Sequence, residues 1–131
     1  MREGLFDVTI RSIARALDCR LMKHTVISSN IANKDTPGYQ AMDVAFESSL
    51  KDAIVRERTT PSAVAGRGAS VDDTVPTLAL KPTAVVGNDL NTVSMEKEMA
   101  DMAKNSLMYN AGIQMINKKL ALLKYTIEHG G

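Results

Sequence analysis

The sequence predicts an all-α-dominated fold in which long N- and C-terminal helices pair as an antiparallel coiled coil. Apolar residues recur at steps of three and four near both ends of the 131-residue chain, which is the spacing of a helix that packs along one face. Pro and Gly are concentrated between these ends, so the middle is predicted to hold a short helix and an irregular, partly extended segment. A chain that leaves along the first helix must return along the second, which makes the pair antiparallel.

We expect one domain in total, divided into four parts. Residues 1–35 form the N-terminal helix, residues 36–56 a Pro-Gly turn and a short helix, residues 57–93 an irregular loop, and residues 94–131 the C-terminal helix. In the first part, the step of four between Leu17 and Leu21 follows another step of four, which locally unwinds a left-handed coiled coil. The predicted seam of this helix consists of Phe6, Ile10, Ile13, Leu17 and Leu21.

The second part begins with a turn. Thr36 precedes a proline and is therefore pushed out of the helical region, so the first helix ends before it. Pro37 and Gly38 suit the two central positions of a type II turn, in which the glycine adopts a positive φ. A short helix is then predicted from the spacing of Val44, Phe46, Leu50, Ala53 and Ile54.

The third part lacks helical periodicity because Pro61, Pro76 and Pro82 interrupt every candidate helix. We expect short extended pieces at residues 78–80 and 84–86, on either side of Pro82.

The C-terminal helix has the strongest periodicity in the chain, with steps of four and three that alternate from residue 95 to residue 127. Ser94 suits the N-cap and Gly130 the exit from the helix. Ser106 is a polar member of the seam. Its other predicted members are Met95, Met99, Met102, Tyr109, Ile113, Ile116, Leu120, Leu123 and Ile127.

Composition excludes several classes of function. The 16 basic and 15 acidic residues nearly cancel, whereas nucleic-acid binders show a basic excess or a basic stripe. A single Cys19 excludes an internal disulfide and a multi-cysteine metal site. No apolar run is long enough to span a membrane, and the first residues lack the apolar stretch of a cleaved secretory signal. We therefore expect no enzyme activity, no cofactor, no metal and no small-molecule substrate.

The residues that could carry chemistry have simpler structural interpretations. Cys19 and His24 are five positions apart, which separates their directions on a helix by about 140°. Asp72-Asp73 falls in the irregular segment, and Glu96 and Glu98 come at a helix start, so solvation and capping are favoured over catalysis or cation binding.

One string points to a family. Residues 29–39 follow the order Ser-Asn-Ile-Ala-Asn-x-x-Thr-Pro-Gly-Tyr. This order resembles the signature of bacterial flagellar axial proteins, which include rod, hook and hook-associated subunits. Residues 40–46 and 91–109 are similar to the matching segments of the proximal rod members. The match extends to all nine defined positions: Ser29, Asn30, Ile31, Ala32, Asn33, Thr36, Pro37, Gly38 and Tyr39.

The resemblance implies a structural subunit of the proximal rod of the flagellar basal body. Such a subunit polymerises through its terminal helices into the drive shaft, which transmits torque and encloses the export channel. The flagellar type III system exports it uncleaved to the periplasmic space at the inner-membrane ring. The implied partners are other copies of the chain, neighbouring rod proteins, the basal-body adaptor protein FliE and the export gate.

The resemblance also assigns roles within the chain. It makes the signature at residues 29–39 an assembly element. It places Asn110, Gln114 and Asn117, which share one face of the C-terminal helix, at the export channel. A simply solvated face explains these three residues equally well.

Two other functions stay open from the residues alone. The first is a binding module, for example a helical secretion chaperone or an adaptor that folds on a partner. A chaperone would stay in the cytoplasm and bind clients in dilute solution. A small hydrolase that remodels peptidoglycan would need a pair of carboxylates in a folded groove, and the sequence offers none.

Overall fold

The computed structural model describes residues 2–59, 70–82 and 88–130, and the side chains of these ranges from residue 6 onward. Two long helices in contact dominate it, with a short helix and a small two-stranded sheet in the middle, so the predicted fold class is confirmed. The elements are α1 (Arg2–Ala32), β1 (Met42–Ala45), α2 (Glu47–Thr59), a 3₁₀ turn (Val71–Asp73), β2 (Thr77–Leu80) and α3 (Met95–His129).

The contacts between α1 and α3 confirm that the two helices are antiparallel. The end of α1 meets the start of α3, where Asn30 donates a hydrogen bond to Glu98. At the other end, the ammonium of Lys119 lies 5.8 Å from the ring centre of Phe6. Between these points the helices approach closely at Gly112, because a Cβ there would lie 2.7 Å from Cδ2 of Leu17.

The apolar core lies on the other side of α1, between α1, α2, β1 and the 3₁₀ turn. The helix α1 therefore packs along two faces, of which the sequence predicted only the one towards α3. The second face was missed because small and polar residues occupy much of it, such as Ser12 and Ala16. The buried members of the core are Val8, Cys19, Val44, Phe46, Leu50 and Val71.

Arginine side chains of α1 bind the middle of the chain through salt bridges and hydrogen bonds. Arg11 forms salt bridges with Glu57 of α2 at 2.7 Å and with Asp72 of the 3₁₀ turn at 3.1 Å. Arg15 donates a hydrogen bond to the carbonyl of Thr74 at 2.9 Å. Burial lowers the pKa of the Arg11 guanidinium, but its hydrogen bonds to Glu57 and Asp7 outweigh burial and hold this pKa above its usual value.

The first turn of the predicted short helix is wrong. Val44 lies in β1, and α2 begins only at Glu47 and runs on to Thr59. The physical reason is a pairing with β2, a partner more than thirty positions away that local periodicity cannot register. Residues 78–80 are extended as predicted, whereas residues 84–86 lie outside the described residues.

The predicted limits of α3 agree with the structure. Ser94 occupies the N-cap and Gly130 the C-cap, although the Ser94 side chain makes no capping hydrogen bond. Within the described residues, no helix has the length and apolar character needed to cross a membrane.

Candidate assembly interface

The signature at residues 29–39 closes a tight turn after α1. The backbone N–H of Tyr39 donates to the carbonyl of Thr36 at 3.3 Å, around the pair Pro37-Gly38. Gly38 has a φ of +73°, so the predicted positive φ is confirmed. A Cβ at Gly38 would meet nothing within 4 Å. The glycine is therefore required for its backbone conformation and not for space.

The side-chain amide of Asn30 takes the place of a neighbouring strand. Its Nδ2 donates to the carbonyl of Met42 at 2.8 Å, and its Oδ1 accepts from the backbone N–H of the same residue at 3.1 Å. These are the donor and the acceptor that β1 presents on the edge away from β2. Asn30 is fully buried, so it closes this edge and joins α1 to the sheet.

An ionic cluster with the buried Glu98 at its centre continues from Asn30 to α3. Nδ2 of Asn30 also donates to Oε2 of Glu98 at 3.0 Å, and Glu98 is only 1% exposed. The ammonium of Lys81 lies 2.8 Å from Oε1 of Glu98 and 2.7 Å from Oδ2 of Asp101. Burial lowers the pKa of Lys81, but the hydrogen bonds to Asp101 and Glu98 outweigh burial and raise this pKa. The ammonium of Lys81 is therefore charged at neutral pH.

A second set of hydrogen bonds ties the turn to the segment that leads into α3. Nδ2 of Asn91 donates to the carbonyls of Asn33 and Thr36, at 2.9 Å and 2.6 Å. The backbone N–H of Thr92 donates to the carbonyl of Tyr39 at 3.0 Å. The signature thus holds the end of α1 and the start of α3 in one arrangement.

The nine signature residues divide into two groups. Asn30 is buried, and Ile31, Asn33 and Tyr39 are half-buried and take part in the contacts of the turn or of the helix pair. The remaining positions are exposed in the single chain: Ser29, Ala32, Thr36, Pro37 and Gly38. The structure therefore gives part of the signature a role in folding and leaves the tip of the turn at the surface.

The predicted seam is only partly closed within one chain. Four members on α1 and five on α3 are half-buried: Phe6, Ile10, Ile13 and Leu17, with Met95, Met102, Tyr109, Ile113 and Ile116. Ser106 is half-buried as well. The other members are exposed: Leu21, Met99, Leu120, Leu123 and Ile127. The three last positions of α3 are exposed because the contact between the helices runs out near Phe6 and Lys119.

The side of α3 that faces away from α1 carries further exposed apolar residues. These residues are spaced by three or four positions, and Lys118 occupies one position of the same series. Tyr125, the last of them, is 61% exposed. We call this set the outer stripe, which consists of Met108, Ala111, Met115, Leu122 and Tyr125. The uncharged polar residues Asn110, Gln114 and Asn117 lie beside it and are also exposed.

The described residues offer little for catalysis. They contain no group of three or more His, Cys, Asp and Glu side chains that could hold a metal ion. The thiol of Cys19 is buried in the apolar core, and this burial raises its pKa, so it stays protonated and unreactive.

Several important residues escaped the sequence analysis. Glu98 was interpreted as a residue of the helix start, but it is the buried carboxylate at the centre of the ionic cluster. No local sequence pattern singles out Lys81 or Asn91, because the residues they bind are distant in sequence. Gly112 carried a usable signal, since a glycine inside a strongly periodic helix often marks a close approach.

The chain is similar to known proteins over nearly its whole length. A family profile described as "Flagella basal body rod protein" matches residues 11–40. The chain is 34% identical over 133 residues to "Flagellar basal body rod protein FlgB" of Salmonella typhimurium, with 95% of this chain and 96% of the relative covered. It is 35% identical to the protein of the same description in Escherichia coli K12, with the same coverage. The Bacillus subtilis protein is 32% identical over 128 residues, with 98% of both chains covered.

Proposed function

This chain belongs to the FlgB family of flagellar basal body rod proteins, and from that premise we propose that it builds the proximal part of the rod by packing its terminal helices against neighbouring subunits. Members of the family are structural components of the basal body and not enzymes, so the chain is a structural component of the rod that assembles with other rod components.

The observation that carries the proposal is the exposed apolar surface on the C-terminal half of α3. Ile127 is 72% exposed, and Leu120, Leu123 and the outer stripe are exposed with it. Full burial of one such side chain stabilises an assembly by roughly 1.5–3 kcal/mol relative to its exposure to water. Exposed apolar surfaces of this kind mark contacts between proteins. Neighbouring subunits would supply the cover that α1 does not.

We infer that these contacts are heterologous, so that one surface of a subunit meets a different surface of the next. Contacts of this type do not close on themselves and generate an open helical filament. A rod built this way transmits torque because every subunit is fixed to its neighbours along two long helices. The exposed tip of the turn, with Thr36, Pro37 and Gly38, is a second candidate contact within such a filament.

We further propose that Asn110, Gln114 and Asn117 face the export channel. Uncharged polar side chains would let an unfolded substrate pass without adhering. Leucine at all three positions is expected to slow export of later flagellar subunits while purified basal bodies retain a complete rod. Unchanged export would show that these residues form a solvated face.

The position in the cell is likewise a proposal from the family. We place the chain in the periplasmic space at the inner-membrane ring, after uncleaved export by the flagellar type III system. The adaptor protein FliE and the export gate would be its partners at the rod base. Mass spectrometry of the protein from purified basal bodies tests uncleaved export, because a cleaved chain would lack its first residues. Immunolocalisation in the same particles tests the position.

The packing role is tested by a charge on the outer stripe. In a strain that depends on this chain, the double variant Met115→Lys, Leu122→Lys is expected to abolish swimming and to remove the rod from purified basal bodies. Ser48→Lys, on the exposed surface of α2, is the matched control and should leave both unchanged. Cellular protein level is measured in parallel. A complete rod containing the double variant would contradict the proposal.

A further inference from the structure

The two edges of the small sheet differ in their hydrogen bonding. In the register of β1 and β2, Met42 opposes Leu80 and Val44 opposes Leu78. The backbone N–H of Lys81 donates to the carbonyl of Ala41 at 2.9 Å, which makes the neighbouring pairs with Leu80 and Leu78 non-hydrogen-bonded. The N–H and C=O groups of these two leucines therefore point away from β1.

Within the described residues, the outer edge of β1 has hydrogen-bond partners and the outer edge of β2 does not. On the outer edge of β1, the amide of Asn30 bonds both backbone groups of Met42, and the carboxylate of Asp43 accepts from the N–H of Val44 at 2.8 Å. On the outer edge of β2, no strand among the described residues pairs with Leu78 or Leu80. An unpaired edge of this kind is a template for another extended chain.

The side chains of the same two leucines also extend the apolar face of the sheet beyond the part that the core covers. Residues opposite each other in an antiparallel pair point to the same face, so Leu78 lies beside the buried Val44. The core beneath Val44 does not reach β2, because Leu78 and Leu80 are 54% and 59% exposed. The edge thus combines free backbone groups with uncovered apolar side chains.

The sequence of β2 carries no charged side chain that would repel a second strand. Residues 75–80 contain no ionisable side chain, although natural edge strands are often protected by lysine. The nearest candidate, Lys81, is held by Glu98 and Asp101 of α3. A second strand can therefore approach without electrostatic repulsion.

We propose that β2 pairs with β2 of a second copy of this chain, antiparallel and centred on Ala79, to form a four-stranded sheet. The edge is self-complementary in this register. Leu78 of each copy opposes Leu80 of the other, the free backbone groups of both leucines become hydrogen-bonded, and the four leucines share one apolar face. A two-stranded sheet is marginal by itself, and four strands with an apolar face are more stable.

This contact belongs to the free subunit. A two-fold pairing closes on itself, whereas the rod proposed above requires open heterologous contacts. The pairing therefore covers the edge of β2 before incorporation. It does not rest on the proposed function, and the experiments below use purified protein without a rod.

A disulfide at the two-fold axis tests the register. In the proposed pairing, Ala79 faces its own counterpart in a non-hydrogen-bonded pair with a Cα separation of about 4.5 Å, which a disulfide can bridge. Ala79→Cys is expected to give a disulfide-linked dimer on mild oxidation. Thr77→Cys is the matched control, because two such residues would be about 13 Å apart along the strands. The native Cys19 is buried and does not compete. Equal dimer formation by both variants, or none by Ala79→Cys, would overturn the register.

Sedimentation of the reduced wild-type protein tests the surface. We expect a reversible dimer whose fraction rises with concentration up to about 1 mM, the range of weak contacts. Leu78→Lys places a charge on the edge and should shift the midpoint of dimerisation at least tenfold. Leu80→Pro removes an N–H that has no partner among the described residues. It should shift the midpoint in the same direction while the circular dichroism spectrum stays unchanged. A monomer at every concentration, or a dimer that persists in Leu78→Lys, would overturn the proposal.

Discussion

The two sides of the chain are built from similar residues but bury them differently. On one side of α1, Phe46, Val44 and Val71 are almost completely buried in the core that α1 forms with α2, β1 and the 3₁₀ turn. On the C-terminal half of α3, Leu120, Leu122 and Ile127 are exposed. Apolar composition alone therefore does not identify the core of this protein. The difference is one of partners. The first set finds them within the chain, whereas the second set either faces away from α1, as Leu122 does, or follows the contact between Phe6 and Lys119 along α3.

This contrast teaches how one short chain serves both folding and assembly. The middle of the sequence folds back onto α1 and forms a small core with it. Salt bridges from Arg11 of α1 to Glu57 and Asp72 hold the two parts together. The C-terminal half of α3 contributes little to that core, and we propose that its exposed apolar residues contact other subunits. The predictions below separate these two roles.

The largest expected effect is the loss of a core aromatic. Phe46→Ala should lower the free energy of unfolding by about 3–5 kcal/mol, because the ring is buried and cannot be replaced by neighbouring atoms. The guanidinium of Arg20, 5.2 Å from the ring centre, loses its contact as well. Urea titration followed by circular dichroism measures the change.

Leu122→Ala is the matched control for this prediction. Leu122 is exposed in the single chain, so the same measurement should change by less than about 0.5 kcal/mol. Similar losses in both variants would show that the two sides of the chain do not differ in the way described.

A smaller loss is expected at the link between the two sides. Asn30→Ala leaves both backbone groups of Met42 without their partner and removes a donor from Glu98. Buried polar groups without partners cost about 1–3 kcal/mol each, and we expect a total near the upper end of this range in urea titration. Ser29→Ala, at the exposed neighbouring position, should be close to neutral. A neutral Asn30→Ala would show that the two sides are not joined through this amide.

Substitutions of Gly38 in the turn should change stability through the backbone conformation that this position requires. Gly38→Val forces a β-branched residue into a positive φ and should cost about 1 kcal/mol or more. Gly38→Asn should cost less, because Asn tolerates this conformation better. If the turn is also an assembly contact, Gly38→Val reduces swimming and rod completion more than it reduces the cellular protein level. Normal swimming with this variant would leave the turn with a folding role only.

The smallest expected effect is a pH dependence of the free energy of unfolding, which Glu47 at the start of α2 contributes. Burial raises the pKa of Glu47, but hydrogen bonds from the backbone N–H groups of Glu47 and Phe46 and the charge of Lys23 outweigh it, so the pKa lies below its usual value of 4.5. The folded state then binds fewer protons than the unfolded state near this pH. Its contribution to stability is present at neutral pH and is lost as the pH falls through the lowered pKa.

Urea titrations between pH 7 and pH 3 measure this contribution. The wild-type protein should lose more stability over this interval than Glu47→Gln, which has no carboxylate to protonate at this site. Identical pH profiles of the two proteins would contradict the role given to Glu47.

The sequence predicted those features that depend on local spacing. The two long helices, the positive φ of Gly38 and the caps at Ser94 and Gly130 all follow from patterns within a few residues. The signature was also visible, but its internal contacts were not, since Asn30 bonds atoms of β1 and α3 that lie far along the chain.

The remaining features depend on distant partners. Val44 was placed in a helix because its strand depends on pairing with β2, which is more than thirty positions away in sequence. The seam of α3 was predicted to its last turn, yet Ile127 is exposed, because helical periodicity shows which face is apolar and not how far the opposite helix extends. Glu98 could not be recognised as buried before Lys81 was known to pair with it.

The amide of Asn30 gives the protein a built-in spectroscopic reporter. Its Nδ2 donates to the carbonyl of Met42 and to the carboxylate of Glu98 in a site without water contact. Hydrogens held in this way exchange slowly with solvent, and their nuclear magnetic resonance signals are shifted away from those of exposed asparagines. In a spectrum of the 15N-labelled protein, this single side chain therefore indicates whether α1, the sheet and α3 are together, without any label attached to the chain.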